Sequence, residues 1–478
     1  MNTVRIGALD VGIVVVYFLL TIAFGLWMGR RKVKTGEDLF LGLRLRTAPE
    51  FFERRYNSGS RLFVAGINIV MILAANIVTA LYAGATVISD LMGWTSAFHF
   101  NLAVLVIAVA AGLYTVLGGL RSVLWVDLMQ ATLLVLGGAL TLILAVNAAG
   151  GVEAVLAHRD ATGDNPWSIV RSWSHPYGWL PLITGAVILG VHSHCTDHDY
   201  VQRALAARSV FHSKMGAVFA GFLKVLALFI IAAPGVVAAK LIPGLDHPDQ
   251  AYTRLITEYV PSGLVGLVMA GLLAAILGTV AAGLSASSAM VVFDFVGRSS
   301  PTMTEDRKVK LGRAVMIGIL ILCAVLAPSI KSFQGVFGYL VRIWSLLAPP
   351  VFVCVVFGIF SKRATSKGAV STLAVGCVLG AVAFWVLGKP DLLAGLPVYL
   401  RSPLNLGFLI TVVCSLVMWS LRASEPVPAA AEIVRHETDP HKIAMTTAER
   451  RTYRISLGLL LGLIFGVVLM LSPWGLAS

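Results

Sequence analysis

The sequence predicts an all-α polytopic membrane protein with about twelve transmembrane helices. Hydrophobic residues make up 58% of its 478 residues, charged residues make up only 13%, and the mean hydropathy is +0.85. A composition this apolar exceeds what the core of a water-soluble protein requires. The apolar residues also fall into runs of about 18 or more, the length that spans a hydrocarbon core.

Twelve such runs are visible along the chain. They lie near 9–29, 62–89, 98–117, 121–147, 178–193, 212–238, 263–293, 312–330, 335–360, 367–387, 404–421 and 455–473. The first run is expected to remain as an anchor and not to be a cleaved signal peptide, because Asp10 interrupts its start and Arg30 to Lys32 follow it.

The spans and the polar segments between them predict five regions. These are an N-terminal anchor span at 1–29, a cytoplasmic amphipathic segment at 30–60, a core of spans at 61–421, a cytoplasmic loop at 422–454 and a C-terminal span at 455–478. Within the second region, Pro49 is expected to open a short amphipathic helix through Phe51, Phe52 and Tyr56 along the inner surface of the membrane.

The basic residues are distributed unevenly between the two sides of the predicted bundle. If the amino terminus lies outside and the spans alternate, 27 of the 37 Lys and Arg residues fall on the inner side and eight on the outer side. This positive-inside pattern predicts a multi-pass protein of the cell's inner (plasma) membrane with both termini outside the cytoplasm. The net charge of +13 therefore reflects topology and attraction to the lipid bilayer. No nucleic-acid partner is expected, because no basic face is interleaved with stacking aromatic residues.

Polar residues interrupt the apolar run at 178–193 and the span that follows it. The apolar residues Ile188 to Val191 lead directly into the polar stretch 192–199, and Lys224 lies in the middle of the next span. Such groups cost about 2.5 to 3.5 kcal/mol each at a helix centre, so they persist mainly where they face a cavity or a transported solute. A transporter or a channel is therefore expected. An enzyme is not, because the intramembrane polar groups include no set of nucleophile, base and acid at workable spacing.

Several interpretations of these polar groups stay open. Lys224 either donates hydrogen bonds into a cavity or forms a structural ion pair with Asp197 or Asp199. The histidines at 192, 194 and 198 are interpreted as a metal site, as proton sensors or as hydrogen-bonding residues of a cavity wall. The last is favoured because no Cys or Glu completes a tetrahedral ligand set, and no metal beyond sodium is predicted.

Several motifs resemble those of the sodium:solute symporter family, in particular its sodium-coupled sugar transporter branch. The strongest is Tyr-Thr-Val-Leu-Gly-Gly-Leu-Arg-Ser at 114–122, followed by Trp-Val-Asp-Leu-Met-Gln at 125–130. Shorter similarities lie at 195–197, 202–207 and 348–350, and the resemblance extends from residue 9 to about 421. It implies a LeuT-like fold, with two inverted five-helix repeats whose discontinuous helices meet at the bilayer midplane. It also implies sodium as the coupling ion, and no cofactor is expected.

The resemblance implies a cation site on the span at 263–293. In the family this site uses an alanine carbonyl and two serine hydroxyls, which here fall on Ala275, Gly278 and Thr279. One hydroxyl is therefore missing. Asp127 matches a family aspartate near the cation exit route, although an interfacial pair with Arg121 is an equally good interpretation.

The resemblance also implies a solute site. Lys224 matches a lysine that hydrogen-bonds the transported sugar, and Ser193 and His194 stand where the family has an aromatic pair that stacks on it. Val341 replaces a family glutamine, and the guanidinium of the adjacent Arg342 is suited to bind a carboxylate bidentately. A sugar, a polyol and a carboxylate are all compatible with this set.

The largest departure from the family pattern is an internal gap. Only Leu43 to Arg46 separate the motif at 39–42 from the one at 47–56, where the family has two core helices. The missing pair would include the first discontinuous helix, which carries the other half of the cation site. Natural divergence and a truncated copy both fit this pattern.

The sequence thus predicts a secondary active transporter similar to the sodium:solute symporters. It would move a small polar solute by alternating access, with sodium coupling impaired by the incomplete site. The alternative is a non-transporting relative that binds a solute or signals. A channel fits less well, because no selectivity motif is present and Lys224 would block a cation pore.

Overall fold

A computed structural model provides the structure. The residues it describes are 8–28, 47–159, 165–169, 171, 175, 177–205, 207–245, 248–300, 302–333, 335–427, 445–472 and 475. The internal gap at 43–46 and most of the predicted loop at 422–454 lie outside these residues.

The described residues form an all-helical bundle. Its helices are α1 (Ala8–Met28), α2 (Ala48–Arg55), α3 (Ser58–Met92), α4 (Ala97–Ala148), α5 (Val152–Leu156), α6 (Trp179–Cys195), α7 (His198–Leu205), α8 (Val210–Leu241), α9 (Ala251–Tyr259), α10 (Val265–Ser299), α11 (Glu305–Lys331), α12 (Val336–Phe360), α13 (Ser366–Leu387), α14 (Pro390–Gly395), α15 (Pro403–Ser420) and α16 (Thr447–Met470).

Ten candidate spans, judged by length and composition, are found among the described residues. The two other predicted spans coincide with shorter apolar helices at Leu9–Thr21 and Trp179–Cys195. Each of the twelve runs in the sequence therefore corresponds to an apolar helix.

Helix α4 contains two of the predicted spans in one continuous helix of 52 residues. A straight helix of that length would measure about 78 Å, more than twice the ~30 Å of a hydrocarbon core. Each half, Ala97–Leu117 and Val123–Ala148, is long enough to cross by itself. The Tyr114 hydroxyl in the first half donates to the Leu277 carbonyl at 3.0 Å, and Asp127 in the second half lies against Gly278. Both halves thus meet α10 at the same level.

Helix α10 is the central element. In its most apolar stretch of 18 residues, 72% is buried inside the protein. Glycines allow its neighbours to approach closely. A Cβ atom added at Gly271 would lie 2.8 Å from the carbonyl oxygen of Leu133 in α4. At the start of α10, the Asp10 carboxylate of α1 accepts hydrogen bonds from the backbone amides of Gly263 and Gly266 at 2.9 and 2.8 Å. The negative charge at this helix start is favourable because the first amides of a helix lack partners within it.

The predicted helix after Pro49 is present as α2, but it packs into the protein. Phe52 and Arg55 are each only 1% exposed. The Arg55 guanidinium donates to the carbonyls of Gly358, Ser361 and Ala364 at 2.8, 2.7 and 3.1 Å. These carbonyls lie at and just beyond the end of α12, where backbone acceptors lack helical partners. Arg55 therefore fixes α2 to the C-terminal end of α12.

A buried ion pair joins α3 to the C-terminal part of α10. The Nη2 atom of Arg61 lies 2.6 Å from Oδ1 of Asp294, and these side chains are 12% and 0% exposed. The Thr47 hydroxyl donates to the same carboxylate oxygen at 2.7 Å. Glu53 of α2 accepts a hydrogen bond from Arg61 at 2.5 Å and forms an ion pair with Arg298 at 2.9 Å. This network connects α2, α3 and α10 on the predicted cytoplasmic side.

Candidate functional site

Two adjoining cavities lie among α3, α4, α6, α8, α10 and α12. The first, here called the lysine cavity, has a volume of about 790 Å³ and is lined in part by Lys224, Ser193 and His194. The second, here called the aspartate cavity, has a volume of about 680 Å³ and is lined in part by Asp127, Asp199 and Thr279. Trp344 of α12 lines both cavities, so they meet at its indole.

A break between α6 and α7 brings polar groups to the lysine cavity. Helix α6 ends at Cys195, and the backbone leaves helical geometry at Thr196 (φ −133°). On the last turn, the Ser193 hydroxyl donates to the Gly190 carbonyl at 3.2 Å, and His194 Nδ1 lies 2.8 Å from the same oxygen. Ser193 and His194 are thereby held on one edge of the cavity, as the sequence predicted for a discontinuous helix.

Tyr200 of α7 brings Lys224 and His194 to the same place. Its ring centroid lies 5.4 Å from the imidazole of His194 and 6.0 Å from Nζ of Lys224. Lys224 is exposed to the cavity. The alternative in which it pairs with Asp197 or Asp199 is not realised, because Asp199 forms its ion pair with Arg203 at 2.9 Å and neither aspartate is bridged to Lys224.

The two other histidines of the polar stretch are buried in the protein. The Thr196 hydroxyl lies 2.6 Å from Nδ1 of His192, and the Ala48 backbone amide donates to Nδ1 of His198 at 3.3 Å. Within the described ranges, no three His, Cys, Asp or Glu side chains are arranged to hold a metal ion.

Arg342 lies apart from the other candidate solute ligands. Its neighbour Val341 lines the lysine cavity, whereas Arg342 does not. Its guanidinium carbon lies 5.8 and 5.9 Å from the ring centroids of Phe333 and Phe384. The structure thus brings Lys224, Ser193 and His194 together and leaves Arg342 outside the group.

All three candidate cation ligands line the aspartate cavity. Thr279 and Ala275 lie one turn apart on α10, and the Thr279 hydroxyl donates to the Ala275 carbonyl at 3.0 Å. Across the cavity, Asp127 projects from the second half of α4. The three residues that the family resemblance identified on two distant spans are therefore neighbours in space.

Arg203 joins the two carboxylates of this cavity. Its Nη2 atom lies 3.0 Å from Oδ2 of Asp127, and its Nη1 atom lies 2.9 Å from Oδ1 of Asp199. Asp127 thus forms its ion pair with Arg203, whereas the side chain of Arg121, the partner considered from the sequence, lies outside the described part of the chain. Arg203 lies in the motif at 202–207, which resembles the family. Its ion pair with Asp127 could not be predicted from the sequence, because the two residues are far apart along the chain.

Gly278 allows two side-chain oxygens to approach α10 where the family places a hydroxyl. A Cβ atom added there would lie 2.8 Å from Oε1 of Gln130 and 2.9 Å from Oδ1 of Asp127. Gln130 is 2% exposed and lies near the hydroxyls of Tyr17 and Tyr114, but its amide atoms make no hydrogen bond of normal geometry. Gln130 was not predicted from the sequence as a candidate ligand, although its position three residues after Asp127 places both on one helical face.

Known proteins share this arrangement of helices and motifs. A profile of the sodium:solute symporter family matches residues 5–376. The chain is 29% identical over 358 residues to a sodium/glucose cotransporter of Vibrio parahaemolyticus, covering 70% of this chain and 65% of that protein. It is 31% identical over 381 residues to sodium/myo-inositol cotransporter 2 of Oryctolagus cuniculus, covering 72% of this chain and 55% of that protein. The chain therefore spans less than two thirds of the length of these relatives, which are cotransporters and not enzymes.

A solved structure gives the same fold. It is a Na⁺-coupled sialic acid symporter in a substrate-bound outward-open state, superposed with a TM-score of 0.70 at 18% sequence identity, over 87% of this chain and 97% of that chain. At this identity the likeness shows the fold alone, which is the LeuT-like fold. Together with the ten candidate spans, it identifies a multi-pass membrane protein. Since the family profile matches well over half of the sequence, this chain belongs to the sodium:solute symporter family.

Proposed function

We propose that this chain is a secondary active transporter that moves a small polar solute by alternating access, with sodium as the coupling ion. The observation that carries the proposal is the pair of adjoining cavities, one lined by Lys224, Ser193 and His194 and the other by Asp127 and Thr279. Polar groups at this depth are typical of a solute pathway. The names of the relatives, which are cotransporters of glucose and myo-inositol, support the same activity.

In this proposal sodium binds in the aspartate cavity. Asp127, Gln130, Ala275 and Thr279 all line this cavity and carry oxygen atoms, and the side-chain oxygens of Asp127 and Gln130 both approach Gly278. Hard cations favour such oxygen ligands. Two carboxylates and the guanidinium of Arg203 leave one net negative charge, which suits a monovalent cation. Because Arg203 and the internal Thr279 hydrogen bond occupy some of these oxygens, we expect weaker sodium binding than a complete oxygen cage would give.

The solute binds in the lysine cavity in this proposal, with Lys224, His194 and Ser193 as hydrogen-bonding groups. Arg342 is not among the residues that line this cavity, so it is not counted among the proposed solute ligands. We further propose that the protein lies in the cell's inner membrane with both termini outside the cytoplasm, as the distribution of Lys and Arg residues predicts.

Uptake into proteoliposomes tests the function. The full chain is reconstituted, and accumulation of labelled glucose, myo-inositol and sugar carboxylates is measured with an inward sodium gradient and with choline in place of sodium. We expect sodium-stimulated uptake of at least one solute, reduced at least tenfold in Asp127→Asn and unchanged in the surface variant Lys310→Gln. Absence of uptake across the panel in both salts would contradict transport.

The same preparation distinguishes a transporter from the alternative, a non-transporting relative. That protein would bind a solute, measured by equilibrium binding to the reconstituted chain, and yet show no accumulation under any gradient.

A further inference from the structure

We infer that the solute recognised in the lysine cavity is an anion, with a carboxylate as the chemistry that its walls fit best. This inference rests on the proposed function only in locating the solute in that cavity. The charged side chains among the described residues that line it are Lys224 and Arg171, and no Asp or Glu is among them. The described part of the cavity wall therefore carries positive charge and no carboxylate.

Lys224 is the charged lining residue that lies within a span. It lies near the middle of the span Val210–Leu241, is exposed to the cavity, and has the Tyr200 ring 6.0 Å from its Nζ atom. The nearby aspartates have other partners, since Asp199 pairs with Arg203 and Asp197 accepts a hydrogen bond from the Asp199 backbone amide at 3.1 Å. An ammonium group at membrane depth needs a counter-charge or water, and a carboxylate in the cavity supplies the counter-charge.

The hydrogen-bonding character of the wall also favours an anion over a neutral sugar. The ammonium of Lys224 offers three donors and no acceptor, and an ionised carboxylate is an acceptor only. A neutral sugar donates from the hydroxyls that it buries, and the side-chain acceptors among the described lining residues are hydroxyl and imidazole groups, with no Asp, Glu, Asn or Gln. The Gly190 carbonyl, a nearby acceptor, is already used by Ser193 and approached by His194.

The two cavities carry opposite charge, which separates an anion from a cation. The aspartate cavity contains Asp127, Asp199 and Arg203, with a net charge of −1 if all three are ionised. The aspartate cavity therefore repels an anion, which stays on the Lys224 side of Trp344. A sodium ion bound in the aspartate cavity cancels its negative charge. Sodium is therefore expected to raise the affinity for an anion, because the repulsion across Trp344 is removed.

A matched pair of ligands tests the inference directly. D-glucuronate and D-glucose share a ring and differ at C6, where glucuronate carries a carboxylate. Binding of each to the full chain in nanodiscs is measured at pH 7 by calorimetry, with sodium or choline. We expect the dissociation constant of glucuronate to be at least tenfold lower than that of glucose, and lower in sodium than in choline.

Variants of Lys224 identify the group responsible. We expect Lys224→Gln to weaken glucuronate binding at least tenfold while changing glucose binding less than threefold, and Lys224→Arg to retain most of the preference. Lys214→Gln is the control and should bind both as the unmodified chain does. Lys214 lies near the start of α8, with its side chain over the Tyr453 ring. The thermal midpoint and the elution profile of each variant verify folding.

The outcomes distinguish this inference from the proposed function. Glucose binding as tight as glucuronate, or an equal loss of both in Lys224→Gln, overturns the anion assignment and leaves transport intact. Tight glucuronate binding without uptake supports the anion assignment and removes transport. If neither ligand binds, gluconate and myo-inositol form a second pair. Preference for gluconate supports the inference, whereas preference for myo-inositol or no binding at all overturns it.

Discussion

At the scale of single residues, two buried arginines connect the ends of neighbouring helices. Arg55 caps the backbone carbonyls at the end of α12, and Arg61 meets the fully buried carboxylate of Asp294. The sequence shows these residues only as part of a basic segment, which it assigns to topology. The structure shows that they also stabilise the fold, because each guanidinium pairs with buried polar groups that would otherwise lack a partner.

Replacement of Arg61 should destabilise the protein strongly. Arg61→Gln leaves the Asp294 carboxylate, 0% exposed, without its ion pair, and breaking a buried pair costs about 3 to 5 kcal/mol. The measurement is the free energy of unfolding in detergent by denaturant titration. Lys310→Gln removes an ion pair whose members are 74% and 72% exposed, so its effect should stay within about 0.5 kcal/mol. Equal effects of the two variants would show that the Arg61 pair is not buried in solution.

Gly278→Ala should lower the affinity for sodium without destabilising the protein. In Gly278→Ala the new methyl group meets only the ends of two flexible side chains, Gln130 and Asp127, so they move and the helix gains up to about 1 kcal/mol from alanine. Because these ends carry the proposed ligand oxygens, sodium affinity should fall at least tenfold. The measurement is the sodium-dependent shift of the thermal midpoint.

Gly318→Ala provides the matched control for that prediction. A Cβ atom at Gly318 has nothing within 4 Å, so this variant should keep the sodium response of the unmodified chain. A sodium response in Gly278→Ala that equals the control would remove Gln130 and Asp127 from the proposed site.

At the scale of helices, close glycine contacts set how α12, α13 and α15 pack. A Cβ atom added at Gly407 of α15 would lie 2.3 Å from the Ser345 carbonyl oxygen in α12, and one at Gly380 of α13 would lie 2.4 Å from the Leu346 carbonyl oxygen. Small residues at such contacts are typical of membrane helices, whose association depends on close packing. The number and length of apolar runs predict the helices, but not which glycines face a neighbour.

Gly407→Ala should therefore destabilise this part of the bundle. The obstacle is backbone, which cannot rotate away, so the helices must separate at a cost of about 1 to 3 kcal/mol. The free energy of unfolding provides the measurement. Gly458→Ala in α16, where nothing lies within 4 Å of the added Cβ atom, should be neutral or slightly stabilising. A neutral Gly407→Ala would mean that α12 and α15 are not in close contact.

At the scale of the whole molecule, the chain arranges two cavities within a family fold although it spans 65% or less of the length of the two cotransporters compared above. Lys224 and His194 come from two separate spans, and Asp127 and Thr279 from two others. Their grouping around Trp344 depends on the packing of α4, α6, α8 and α10 together. The proposed solute and cation sites thus depend on the assembled bundle and not on any one helix.

The proposed orientation can be tested by labelling with a membrane-impermeant maleimide. The five native cysteines are first replaced by alanine, and Lys389→Cys and Ser424→Cys are made separately at exposed positions that flank α13 and α15. With both termini outside, Lys389→Cys should be labelled in intact cells and Ser424→Cys only after permeabilisation. The reverse pattern would invert the topology, since charge bias sets the orientation of the whole bundle.

The sequence by itself determined the helices and the family, because composition, run length and the motif at 114–130 are local properties of the chain. The sidedness of the helices stays a prediction from the distribution of Lys and Arg residues. The sequence also identified Lys224 as a polar group that needs a reason to lie at membrane depth, and the family resemblance pointed to Asp127. Only the tertiary structure decided their partners: Arg203 with Asp127, Gln130 against Gly278, and Arg342 away from the cavity. Contacts between residues far apart along the chain depend on how helices pack, and helix packing leaves little signal in a single sequence.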